Sequence, residues 1–149
     1  MLPVSGEKLI ELIPQKFPFV LISSLLEVSE KTSTTTFTFD ETHVLCWNGH
    51  LTSAGLMENM AQTAAAKTGY ECLMKGSKIP IGFIGDVRDF VFTRHPKPGE
   101  EITTQVTIIN EIFDVTIISG VVKLKGEEIA SCVMKIFVEP ETKVAEQIK

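Results

Sequence analysis

Apolar and polar residues alternate along this chain with two periods, and the switch between them marks its elements. Leu9, Ile10, Leu12 and Ile13 lie at helical spacing, predicting a short amphipathic helix over Gly6 to Ile13, opened by Ser5 and ended by Pro14. Val20 to Val28 reads as a strand. A threonine-rich run from Lys31 to Phe39 reads as a second one, with Phe37 and Phe39 on one face. Residues 40 to 49 show neither period. Thr52 to Met74 then gives a single long helix, rich in Ala, Met, Leu, Glu and Gln, with Thr52 or Ser53 as its cap and Gly76 as its stop. At 1.5 Å per residue it would span roughly 33 Å. Ala61, Ala64, Ala65 and Ala66 keep its surface small, so a sheet can approach it closely. Strand character resumes over Ile79 to Thr93. It returns over Glu101 to Phe113, where Ile102, Thr104, Val106 and Ile108 share a face, then over Val115 to Leu124 and Ile129 to Val138. Turns are expected at Pro98-Gly99-Glu100 and Lys125 to Glu128, and a frayed polar tail over 139–149. One long helix with mostly antiparallel strands argues an α+β domain in which the sheet wraps the helix.

Composition narrows the class. The chain has 149 residues, 44% hydrophobic and 22% charged, which suits one globular domain with its own core. A net charge of −5 makes general nucleic-acid binding a poor reading. No stretch is long and apolar enough for a membrane span, and the first residues lack a basic, then apolar, leader pattern. Cys46, Cys72 and Cys132 cannot all pair within the chain, and their apolar or small neighbours suit buried free thiols. The expectation is a cytoplasmic protein.

Chemistry is concentrated around the start of the long helix. The histidines are His43, His50 and His95, and no set of residues has convincing metal-ligand spacing. His50 follows Gly49 just before the helix, whose first N–H groups are free to hold an oxyanion. Imidazole can serve as a base near neutrality. The alternative is a hydrogen-bonded loop histidine. Glu58 lies within the helix among Leu56, Met57, Met60 and Ala61, with Gln62 one turn further on the same face. A carboxyl there would be partly desolvated, a setting suited to a general acid. The alternative is a solvent-facing or lysine-paired glutamate. Glu58 would stand about 9 Å along the axis from Thr52, so His50 of the same chain would have to fold back to reach it. Two chains contributing one residue each would avoid that difficulty.

Four segments carry a resemblance when taken in order. Leu12-Ile13-Pro14-Gln15-Lys16-Phe17-Pro18-Phe19-Val20-Leu21, Asn48-Gly49-His50, Glu58-Asn59-Met60-Ala61-Gln62 and Phe92-Thr93-Arg94-His95-Pro96-Lys97-Pro98-Gly99-Glu100 resemble the corresponding blocks of the hotdog-fold 3-hydroxyacyl-acyl-carrier-protein dehydratases. The resemblance implies a hotdog fold and a homodimer with its site shared between subunits. It implies dehydration of a (3R)-hydroxyacyl thioester to the trans-2-enoyl thioester, without metal or organic cofactor. His50 would take the proton from C2, Glu58 would protonate the departing 3-hydroxyl, backbone N–H groups near Ala54 and Gly55 would hold the thioester oxygen, and Gln62 would orient Glu58. Two departures stand out. Gln15-Lys16 replaces the family's His-Arg, and only seven proline-free residues separate His50 from Glu58. That shorter connection is similar to hotdog dehydratases of aryl-polyene or pigment pathways. A hotdog thioesterase using Glu58, or a non-catalytic acyl-binding dimer, are the competing readings.

Charge is unevenly spread. Lys75 to Gly99 carries +3 and the remainder −8, and both arginines, Arg88 and Arg94, fall in the basic stretch. With Lys16 and Lys97 they are the candidates for docking an acidic acyl carrier protein or a coenzyme A thioester.

Overall fold

The computed structural model describes residues 2–139. Its strands are β1 (Val4–Ser5), β2 (Ser24–Val28), β3 (Thr32–Phe37), β4 (Cys46–Trp47), β5 (His50–Leu51), β6 (Gly82–Phe92), β7 (Ile102–Ile112), β8 (Val115–Leu124) and β9 (Glu127–Val138). The helices are α1 (Glu7–Ile10) and α2 (Ser53–Lys75). Seven strands form one antiparallel sheet in the order β1-β2-β3-β7-β8-β9-β6, and β4 and β5 form a separate small hairpin. Helix α2 lies across β2, β3, β7, β8 and β9. This is the α+β arrangement expected from the pattern.

The helix forms where predicted, for the predicted reasons. Thr52 Oγ1 accepts from the Gly55 N–H at 3.1 Å, and Gly76 ends the helix with φ 69°. Its small residues let the sheet close in. Leu56 and Met60 are fully buried against Leu51, Ile102, Ile118 and Val122. At Gly120 of β8 the approach is so close that a Cβ would stand 2.6 Å from Met60 Sδ. A second apolar cluster, built from Leu9, Leu12, Ile13, Ile22, Leu25 and Ala66, seats the N-terminal segment on the other part of α2. There Gly69 is required, because a Cβ would meet the Leu12 carbonyl oxygen at 1.9 Å.

Buried polar groups fix the register of helix on sheet. Asn59 Nδ2 donates to the Leu21 carbonyl (2.8 Å), and Asn59 Oδ1 accepts from Thr104 Oγ1 of β7 (2.5 Å). Thr63 Oγ1 bonds Thr35 Oγ1 of β3 (2.7 Å), and Ser33 Oγ donates to the Thr63 carbonyl (2.8 Å). All five polar side chains are fully buried. Ser33 and Thr35, on one face of β3, therefore form a polar seam facing the helix.

Several expected boundaries are corrected. The first helix is one turn, Glu7–Ile10, with Gly6 and not Ser5 at its cap, because Ser5 pairs with Ser24 in the sheet. Residues 20–23 are not strand. The backbone of Leu21 bonds to side chains of α2, which takes it out of the ladder. The last turn is only Lys125-Gly126, both at positive φ, and β9 begins at Glu127. Glu139 is not frayed, since its N–H donates to the Ile81 carbonyl at 2.8 Å. The rest of the expected tail lies outside the described residues. Among the described residues no helix is long and apolar enough to cross a membrane.

Candidate active site

The stretch read as irregular holds the small hairpin that presents His50. Asn48 (φ 51°) and Gly49 (φ 76°) make its two-residue turn, so Trp47 pairs with His50 and Cys46 with Leu51. An Asn-Gly pair is a strong hairpin signal, and it was legible in the sequence. The hairpin is anchored to the β6–β7 connection, where the Leu51 N–H donates to the Pro96 carbonyl at 2.8 Å. The half-buried His50 ring lies 5.1 Å from that of His95. His95 Nε2 is hydrogen-bonded to Ser53 Oγ at 2.9 Å, and its ring lies 4.3 Å from Phe92. Burial, and then the charge of His50, hold the His95 imidazole below its ordinary value. His95 was noted in the sequence only as a histidine.

His43 has a different task. Its Nε2 lies 2.9 Å from the Val20 carbonyl, and its Nδ1 accepts from the Leu45 N–H at 3.0 Å. The second bond fixes the proton on Nε2 and makes this a structural imidazole that ties two loops together.

Glu58 is half-buried and lines a cavity of about 330 Å³ between α2 and the sheet. That volume is within the range of ligand sites. Ala61, Ala64 and Ala65 form the helix wall, and Phe83, Ile84, Ile108, Ile118 and Ile136 form the sheet wall. The cavity runs on past Lys67 and Thr68 to Glu71, which is about 20 Å from Glu58 by helix rise. Lys67 is buried there and paired with Glu71 at 2.8 Å. The turn that Gly69 admits brings in Pro14 and Gln15 as a further wall.

Gln62 is fully buried and held at both ends of its amide. Its Oε1 accepts from the Leu21 N–H, its Nε2 donates to the Phe19 carbonyl, both at 2.7 Å, and Nε2 also reaches Glu58 Oε1 at 3.4 Å. So Gln62 and Glu58 are brought together, whereas His50 is not among the residues lining the Glu58 cavity. At the helix start the two expected oxyanion donors part company. The Gly55 N–H is taken by Thr52 Oγ1, which leaves the exposed Ala54 as the freer amide. Gly55 itself is needed for packing, since a Cβ there would lie 2.6 Å from Leu51 Cδ1.

The four basic candidates are also differentiated. Lys16 Nζ donates to the carbonyls of Ile10 and Ile13, both at 2.7 Å, and so ties down the end of α1. Arg88 faces Asp86 at 3.4 Å, midway along β6, and Arg94 pairs with Glu100 at 3.0 Å. Arg94 and Lys97 flank the His95 segment. Among the described residues, no cluster of three or more His, Cys, Asp or Glu is placed to hold a metal ion.

Residues 7–148 match the model of the ApeP-like family, described as ApeP dehydratase. The chain belongs to the ApeP-like dehydratase family. It is 27% identical over 124 residues to the 3-hydroxyacyl-[acyl-carrier-protein] dehydratase FabZ of Oceanobacillus iheyensis, covering 81% of this chain and 89% of that one. The FabZ of Haemophilus influenzae is 22% identical over 130 residues, covering 83% and 86%. Among solved structures, the dehydratase heterocomplex ApeI:P of Xenorhabdus doucetiae superposes with a TM-score of 0.83 at 17% identity, over 100% of this chain and 99% of that one. A hypothetical thioesterase of Streptococcus pneumoniae, solved with coenzyme A, gives 0.59 at 10% identity over 77% and 84%. The fold is the hotdog fold, and this dehydratase is a lyase.

Proposed function

We propose that this dehydratase converts a (3R)-hydroxyacyl thioester, carried on acyl carrier protein, to the trans-2-enoyl thioester and water, with a site completed by a second chain. His50 removes the C2 proton. The electrons left at C2 form the C2–C3 double bond as the C3–O bond breaks, and the hydroxyl leaves as water on taking the Glu58 proton. The Ala54 N–H, at the positive end of α2, faces the charge that develops on the thioester oxygen. The acyl chain lies along the alanine wall beyond Glu58. Membership of the ApeP-like family and likeness to the ApeI:P complex support a polyene-type acyl substrate.

The observation that carries this reading is the placement of His50 and Glu58 at opposite ends of one open edge. β6 is the outer strand of the sheet, 11 residues long, with Phe83, Ile84, Val91 and Phe92 exposed. Such an edge invites pairing with another strand. The Glu58 cavity reaches Gly82, Phe83 and Ile84 at the start of β6, and His50 with His95 sits at its end, against Phe92. Antiparallel pairing of two β6 strands about a twofold axis sets the end of one against the start of the other. It carries the partner's His50 toward this chain's cavity. With the axis at Val87, Asp86 of one chain opposes Arg88 of the other, so the paired edge is self-complementary in charge. Arg88 then serves chain association, and Arg94 and Lys97, beside His50, are left to meet the acidic carrier.

Complementation tests this. His50→Ala and Glu58→Gln homodimers should each be inactive in enoyl-thioester formation. Refolding or coexpressing the two together should restore roughly a quarter of wild-type activity, since random assortment gives half mixed dimers with one intact site each. No recovery in mixed dimers verified by native mass spectrometry would overturn the shared site. Glu58-dependent release of free thiol in place of enoyl product would favour hydrolysis.

A further inference from the structure

Among the described residues, His50 has no hydrogen-bonded group to orient it. A base is usually oriented by a third group hydrogen-bonded to it, but neither ring nitrogen of His50 makes a hydrogen bond with the described residues. Its ring contact is with His95, at 5.1 Å between centroids and 42° between planes. His95 is itself firmly held. Its Nε2 is bonded to Ser53 Oγ, and Phe92 packs against its ring. The segment around it is stitched down by the Leu51 N–H on the Pro96 carbonyl and the Gly99 N–H on the Phe39 carbonyl. The Lys97 N–H and Arg94 both bond Glu100.

We propose that His95 is the positioning residue of the reaction: a fixed ring, pinned through Ser53 to the first turn of α2, that sets the orientation of the His50 imidazole. The inference rests on His50 being the base. Packing between rings resists tilting without occupying either nitrogen of His50, which leaves both free for substrate and solvent.

The test is a double-mutant cycle on the intact assembly, read as kcat and KM. His95→Ala should lower kcat by about 10- to 100-fold, up to the loss expected when a reacting group is misplaced by about 1 Å, with KM within about twofold and the thermal midpoint unchanged. His95→Gln, which keeps a planar polar group within reach of Ser53, should recover most of that loss. In the His50→Ala background, adding His95→Ala should leave the residual single-turnover rate unchanged, because a residue that acts through His50 has nothing left to position. An equal fractional loss in that background, or an unaltered kcat in His95→Ala alone, would overturn the inference while leaving His50 as the base. Wild-type activity in His50→Ala would instead remove the reading beneath it, and the inference with it.

Discussion

Helix α2 carries two polar arrays one residue apart, and they behave oppositely. On one face, Asn59 and Thr63 are fully buried, and their side-chain oxygens and nitrogen bond to Leu21, Thr35 and Thr104, with the Asn59 carbonyl accepting from Thr63. On the other, Glu58 has among the described residues only a long bond to Gln62, and it opens onto a cavity lined also by Gln15, whose own Oε1 is buried and accepts no hydrogen bond from the described residues. A satisfied buried network specifies one packing and stays fixed. A carboxyl held at one point, beside space, has lone pairs free for something else. On the proposed reading, the same helix stores stability on one face and chemistry on the next. Gln62 belongs to both, since it fastens the 19–21 segment and points at Glu58.

Substitutions should separate the two faces. Glu58→Gln should have the largest effect, a fall in kcat of about 10²-fold or more, the usual scale for removing a general acid. Its thermal unfolding should stay close to wild type. A large loss of stability with retained activity per folded molecule would reverse the assignment of the faces. Asn59→Leu should do the converse. It strands the Leu21 carbonyl and the Thr104 hydroxyl, which should cost about 2–3 kcal/mol in denaturant unfolding, while kcat per folded molecule changes little. Gln62→Ala should show a smaller version of both, a loss of about 1–2 kcal/mol with a several-fold fall in kcat. If Gln62→Ala alters stability alone, Gln62 anchors the loop and does not orient Glu58.

The comparison also explains what could be read in advance. Helix α2 was legible almost to the residue, because Thr52, Gly76 and an uninterrupted run of good helix formers act locally. The alternation of β7 was legible too, since Ile102, Thr104, Val106 and Ile108 share a face however the sheet is assembled. The 20–23 segment was misread because its apolar pattern looks like a strand, while its backbone partners are side chains some 40 residues away on α2. His50 and Glu58 could be named from residue type, local setting and resemblance. Their separation in space, and the neighbour His95, could not.

Sequence by itself determined the elements, the closeness of helix and sheet through small residues, and the identity of the acid and base candidates. Each depends on propensities, caps and spacings that act over a few residues. Tertiary structure alone decided that Ser5 joins the sheet, that the Gly55 amide is occupied, that Gln62 is fixed by the 19–21 backbone, and that His50 rests on His95. Those outcomes depend on contacts between segments far apart in the chain. Their energies become available only after the core of α2 and the sheet has brought the segments together.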